Sequence, residues 1–126
     1  MSIPTDLRFT NDHEWLRQAG DKWQVGITQF AVEQLGDITL VDLPKVGDAI
    51  TKGQRFGTVE SVKSVSDLYA PVSGTVTAVN VALKDAPELV NGEPYQGGWM
   101  IEVAPANASE VNELLDANAY QALVSA

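Results

Sequence analysis

The segment Glu60-Ser61-Val62-Lys63-Ser64-Val65-Ser66-Asp67 places one lysine three positions after one acid and four before another. A lysine in such a setting can be a solvated charge, a desolvated amine that acts as a nucleophile, or a point of covalent attachment. The flanking residues read as the tip of a hairpin, and a hairpin tip is wet. Nucleophilic catalysis needs a desolvated amine, which a wet tip does not supply. Such a tip suits attachment: a modifying enzyme can reach the amine, and the four-carbon stem extends whatever is joined to it.

Other chemistry is scarce. The only histidine is His13, and no G-x-S-x-G elbow accompanies it. Asp12-His13-Glu14 could touch a metal, but one imidazole without a thiolate makes a weak site. Gly53-Gln54-Arg55-Phe56-Gly57 has neither a G-x-G-x-x-G pattern nor a G-K-[ST] ending, so no phosphate cradle is expected. The chain has no cysteine, which excludes a disulfide framework and a thiolate centre.

The elements that must position Lys63 are short. Residues 7–10 and 14–18 have strand character, with a turn at Asn11-Asp12-His13 between them. Trp23, Val25 and Ile27 alternate as on a half-buried strand. Thr28 is placed to cap a helix over 29–35, with Phe30, Ala31 and Leu35 on one face and Gly36 as its left-handed stop. A strand over 37–43 sets Ile38, Leu40 and Asp42 on one face, and the acid there points to a sheet edge or a barrel rim. Residues 56–62 and 67–70 read as two strands joined by 63–66. Two P-x-x-G runs, Pro44 to Gly47 and Pro71 to Gly74, each precede a short strand and hint at an internal repeat. Residues 84–98 hold two prolines and three glycines, which exclude a long helix. A strand over 99–103 follows. Helices are expected over 110–115, capped by Ser109 with Glu110 and Glu113 favouring the dipole, and near 117–124 with Tyr120, Leu123 and Val124.

With 126 residues and 44% hydrophobic content, the chain suits one small β-rich domain over 1–126. Acids outnumber bases 17 to 8, for a formal charge of −9. Nucleic acid and anionic membranes are therefore unexpected partners, and basic docking patches on other proteins are suitable ones. No apolar run reaches the roughly 18 residues of a membrane span, and the first residues resemble neither a signal nor a transit peptide. The expected location is the bacterial cytoplasm, or the mitochondrial matrix for a processed eukaryotic form.

These residues also carry a resemblance. Gly57-Thr-Val-Glu60-Ser-Val-Lys63, followed by Ser66-Asp67, Tyr69, Pro71, Ser73-Gly74 and Asn80, is similar to the attachment segment of the H proteins of the glycine cleavage system. His13-Glu14-Trp15, Gly26-Ile-Thr28, Phe30-Ala31, Leu35-Gly36-Asp37, Val41-Asp42-Leu43-Pro44, Asn91, Pro94-Tyr95 and Gly98-Trp99-Met100 extend the likeness over about 7–124. It departs at Val81, at Gln96-Gly97 and at Ser64-Val65.

The resemblance implies a mainly β, flattened barrel-sandwich hybrid of two small antiparallel sheets. A lipoyl hairpin lies at about 56–80 and a C-terminal helical segment at about 108–124. It implies lipoate in amide linkage on Lys63, with Glu60 and Gly74 recognised by the lipoate-attaching enzyme. It further implies a cleft that shelters the loaded arm, with acidic lining positions that Glu14 and Asp67 match and Asp12 as a third candidate. It also implies a non-catalytic, monomeric shuttle. Its partners are glycine decarboxylase (P protein), the tetrahydrofolate-dependent aminomethyltransferase (T protein) and dihydrolipoyl dehydrogenase (L protein). The alternatives are a lipoate-relay protein of the same fold, a lipoyl domain of a 2-oxoacid dehydrogenase or a biotinyl domain, and a plain interaction module. Biotinyl domains usually flank the lysine with methionines, where this chain has Val62 and Ser64. Dehydrogenase lipoyl domains lack counterparts of the Trp15–Leu35 region and the C-terminal helices.

Overall fold

The computed structural model describes residues 3–107 and 109–125. Among these described residues, nine strands form two antiparallel sheets. Strands β1 (Arg8–Phe9), β2 (Glu14–Ala19), β3 (Lys22–Ile27), β9 (Ile101–Pro105), β8 (Gly74–Val79) and β5 (Ala49–Ile50) make one, in that order across the sheet. Strands β4 (Ile38–Asp42), β6 (Arg55–Ser61) and β7 (Val65–Tyr69) make the other. Helix α1 (Gln29–Leu35) links β3 to β4, and two single turns, α2 (Ala82–Asp85) and α3 (Leu89–Gly92), fill the segment before β9. After β9 come α4 (Ser109–Asn112) and α5 (Ala117–Ser125).

The alternation of strand side chains explains the layers. Leu16, Val25, Ile27, Val76, Ile101 and Val103 of the larger sheet meet Ile38, Val59 and Leu68 of the smaller one in the main core. On the other face of the larger sheet, Phe9 and Trp15 pack with Leu7 and with Tyr120 of α5 in a second cluster. The short C-terminal helix is therefore part of the packed body: Tyr120 stacks on Phe9 with ring centroids 4.6 Å apart. The strands that follow the two P-x-x-G runs pair antiparallel (Ala49 with Thr75, Ile50 with Gly74), which sets the runs at opposite ends of that pair, with the Gly47 amide donating to the Val76 carbonyl at 2.8 Å.

Several boundaries depart from the sequence reading for identifiable reasons. Helix α1 runs over the expected residues with Thr28 as its cap, but Gly36 leaves it at φ 80°, ψ −155° rather than in the left-handed helical region. A register shift between Ile38 and Leu40 breaks the alternation in β4, so Ile38 is buried while Leu40 is 48% exposed. The strand is nonetheless a sheet edge, as Asp42 suggested. Strand β7 starts at Val65, paired with Glu60, and shortens the hairpin loop. The helix expected over 110–115 is a single turn, because Leu115 instead exchanges both backbone hydrogen bonds with Phe9 at 2.8 Å. Glu110 and Glu113 also serve contacts: Glu110 accepts from the Ser73 amide at 2.9 Å, and Glu113 pairs with Lys52 at 2.6 Å.

Gly74 holds a crossing point. It pairs with Ile50 on one side and Pro105 on the other, and a Cβ there would collide with the Ala104 carbonyl. Its φ is not positive, so close backbone approach, rather than a sharp turn, is what requires glycine. Gly74→Ala is expected to lower stability by about 1–3 kcal/mol, the usual cost of overpacking, measured as a reduced urea midpoint at unchanged m-value.

Candidate functional site

Lys63 lies on the tip between β6 and β7, and the tip is built by one side chain. The Ser61 hydroxyl oxygen accepts from the amides of Lys63 and Ser64, each at 3.2 Å, while the Ser61 amide donates to the Ser64 carbonyl at 2.8 Å. The Val62 amide donates to the Asp37 carbonyl at 3.0 Å, tying the tip to the segment that leaves α1. Asn91 of α3 clamps that segment from behind. Its Nδ2 donates to the Gly36 carbonyl at 2.9 Å and its Oδ1 accepts from the Ile38 amide at 2.8 Å. The backbone that presents Lys63 is thus fixed on both sides, while its side chain is exposed.

The stem does not project straight into solvent, as a bare hairpin tip suggests. It leans over Gly36: a Cβ at that glycine would stand 3.3 Å from Lys63 Cε and 3.8 Å from Nζ. Gly36 follows Leu35, and Leu35 borders a cleft of about 420 Å³. Phe30, Ala31 and Leu35 of α1 form one wall of this cleft, and Ser66 to Tyr69 of β7 form another. The apolar face of α1 read from the sequence, Phe30, Ala31 and Leu35, borders this cleft, with Ala31 and Leu35 also packed against the main core, while Val32, outside that face, is the residue of the helix that is buried.

Asp12, Glu14 and Asp67 all border this cleft, so the structure brings the three expected acids together. They are not equivalent. Asp12 and Asp67 are exposed at the rim, and Asp67 stands 3.8 Å from Arg55 and 3.5 Å from the Tyr69 hydroxyl. Glu14 is only 2% exposed. On β2 it shares the inward face with Leu16, which makes it a carboxyl at a core position. Thr10 Oγ1 donates to Glu14 Oε1 at 2.7 Å, and the Tyr69 amide donates to Oε2 at 3.3 Å. Thr10 Oγ1 already accepts from the amides of Asp12 and Glu14, so its hydrogen is directed at the carboxyl. Burial nevertheless dominates: desolvation pushes the Glu14 pKa up to about 8 against the lowering effect of these two bonds.

Glu60 and Gly74 lie apart from this cleft. Glu60 sits in β6 three residues before Lys63 and borders a separate groove with Leu40, Thr58 and Val81. Gly74 belongs to the other sheet. The residues that sequence reasoning missed are the supporting ones: Thr10, Ser61, Asn91 and the Tyr69 amide. Thr10 carried a signal, four residues before Glu14 across a tight turn. Asn91 stands in the family likeness, but nothing local showed its bonding role, because its partners are 53 and 55 residues away.

Comparison with known proteins settles the family. The family model described as glycine cleavage H-protein matches residues 7–126. The chain belongs to the glycine cleavage H-protein family. An H protein from Nitratidesulfovibrio vulgaris is 57% identical over 125 residues, covering 99% of this chain and 97% of that one. One from Anaeromyxobacter sp. is 53% identical over 124 residues, covering 98% and 97%. The crystal structure of an H protein from Mycobacterium marinum superposes with a TM-score of 0.91 at 43% identity, covering 98% of this chain and 100% of that one. The barrel-sandwich fold is therefore that of the family. The chain is a non-catalytic lipoyl carrier of the glycine cleavage system that serves the P, T and L proteins, and family members carry lipoate on a lysine. No helix among the described residues is long and apolar enough to cross a membrane.

The raised Glu14 pKa has a stability consequence of definite sign. The folded state holds its proton more tightly than the unfolded chain, so stability is full below about pH 4.5 and falls as pH rises toward about 8. Glu14→Gln removes the titration. Its stability relative to wild type is expected to improve between pH 5 and pH 8 by on the order of 2–4 kcal/mol, read from urea unfolding at each pH. An unchanged difference across that range would show that the carboxyl is not held dry.

Proposed function

We propose that Lys63 is the lysine that carries lipoate in amide linkage, and that the cleft bordered by Glu14, Asp67 and Asp12 shelters the loaded arm. We also propose that Glu60 and Gly74 present the hairpin to the lipoate-attaching enzyme. On this reading the whole chain works as one monomeric unit in a bacterial cytoplasm, and the bacterial relatives support that setting.

The observation that carries this reading is the placement of Lys63. It stands on a convex tip whose backbone is pinned by Ser61 and Asp37, and its stem lies over Gly36 toward the cleft. No carboxylate among the described residues pairs with its amine. The residues present fit the group: a reachable amine for attachment, and beside it a cleft with apolar walls and an acid at its base.

When attached, lipoate supplies a dithiolane whose thiol–disulfide chemistry takes up and releases the aminomethyl group. The residues of this chain do the rest. Lys63 tethers, so that docking of the carrier replaces the capture of a free cofactor. Phe30, Ala31 and Leu35 offer apolar contact that excludes water. Glu14, held protonated by burial near neutral pH, answers a cationic amine by releasing its proton to solvent through the open cleft, because a nearby positive charge favours the carboxylate. Thr10 and the Tyr69 amide keep both carboxyl oxygens oriented through that change. Asp67 and Asp12 add negative charge at the mouth.

Intact-mass measurement after expression in a lipoate-replete host is expected to show one lipoyl increment on wild type and none on Lys63→Arg. Glu60→Ala is expected to slow attachment in vitro by roughly tenfold, as loss of one rim charge at a docking surface allows. No increment on wild type, or the same increment on Lys63→Arg, would end the assignment.

A further inference from the structure

The cleft is bordered by elements from distant parts of the chain, and one buried hydroxyl ties two of them together. Tyr120 is 0% exposed, belongs to α5 and does not itself border the cleft. Its hydroxyl stands 2.8 Å from His13 Nδ1 and 2.7 Å from Thr28 Oγ1. His13 borders the cleft from the turn that precedes Glu14, and Thr28 caps the helix whose Phe30, Ala31 and Leu35 form the wall. The Thr28 amide also donates to the His13 carbonyl at 2.9 Å, and the His13 ring lies 4.7 Å from that of Phe30. His13 holds φ 68°, an uncommon backbone state for a residue with a side chain. Such a state persists only where its surroundings fix it.

The hydrogens in this chain can be placed by accounting. Thr28 is fully buried and its Oγ1 already accepts from the Ala31 amide at 3.3 Å, so its own hydrogen needs an acceptor. The Tyr120 oxygen is that acceptor. The Tyr120 hydrogen then goes to His13 Nδ1, which must be unprotonated, and the imidazole hydrogen resides on Nε2. The opposite direction would strand the Thr28 hydrogen in a dry site. Burial also pushes the His13 pKa down, with Asp12 opposing, which agrees with a neutral ring.

We propose that the Tyr120 hydroxyl is a clasp that fixes the cleft: it locks His13 as the Nε2–H tautomer and holds the turn bearing Glu14 against the start of α1. Tyr120 is thus a positioning residue for sheltering the aminomethyl cargo, acting from the back of the sheet. This rests on the reading of the cleft as the shelter of the loaded arm.

Tyr120→Phe keeps the stack on Phe9 and removes only the hydroxyl. Long-range nitrogen–proton correlation spectra of the wild-type protein are expected to show His13 protonated on Nε2 alone, and those of Tyr120→Phe a mixture of tautomers. A wild-type spectrum with Nδ1 protonated overturns the clasp, whatever the variant does. With the holo-protein loaded from glycine, Tyr120→Phe is expected to lose ammonia to water at least about fivefold faster, as one missing hydrogen bond allows. The rate of lipoylation at Lys63 is expected to stay within about twofold, because none of these bonds reaches the hairpin tip. An unchanged lifetime in Tyr120→Phe beside a shortened one in Glu14→Gln overturns the clasp and leaves the shelter standing. Unchanged lifetimes in both overturn the shelter and the clasp with it.

Discussion

A carboxyl group placed where the sheet pattern calls for a hydrophobic residue is the constraint around which the site is arranged. Glu14 shares the inward face of β2 with Leu16, and Leu16 is part of the main core. A charge there is costly unless it is paired or neutralised. The structure does both in part: Thr10 and the Tyr69 amide each donate to it, and burial keeps its proton on. The sheets also leave space beside it instead of closing over it. Were that space packed with side chains, Glu14 would be a defect in the core; open, it becomes an acid that a cationic visitor can ionise.

The carrier function asks for two properties that conflict in one place. The modified lysine must be reachable by several enzymes, yet what it carries must at times be kept from water. On the proposed assignment of Lys63 and the cleft, the fold separates them. The three-stranded sheet bears Lys63 on its tip, and the six-stranded sheet bears Glu14 in its interior. The segment after α1 joins the two, with Asn91 on one side and the Val62 amide on the other. Lys63 leans over this same segment at Gly36. A side chain at Gly36 would press on that stem, so the small residue there bears on more than the end of a helix.

Much of this was legible locally. Thr28, the helix over 29–35 and the glycine after it could be read from capping chemistry and spacing, and α5 from its apolar positions. The hairpin of β6 and β7 was legible from its two strand-like runs, though its loop was read too long because Val65 and Ser66 look as much like turn residues as strand residues. What failed was whatever depends on partners far along the chain. Periodicity cannot tell a helix face that enters a core from one that borders a cleft, so Phe30 was placed on the packed face while Val32, the buried residue, was not singled out. Nothing near Leu115 announces that it pairs with Phe9, which is why a six-residue helix was expected and one turn is found. His13 was placed in a turn with no partner named for its ring; that partner, Tyr120, lies 107 positions away.

Glu60 and Gly74 show that two positions named together by a motif can differ in kind. Glu60 has a side chain on the strand that leads into Ser61 and Lys63, and it borders a groove beside exposed Leu40 and Val81. An approaching enzyme can touch it. Gly74 has no side chain, is buried, and has the Ala104 carbonyl against its backbone. A partner cannot read it by contact. Whatever a substitution at Gly74 does to lipoylation must act through the approach of β8 to β9 and the sheet they build, and so must appear together with a loss of stability. A loss of lipoylation at Glu60 carries no such obligation, because its side chain supports none of the core.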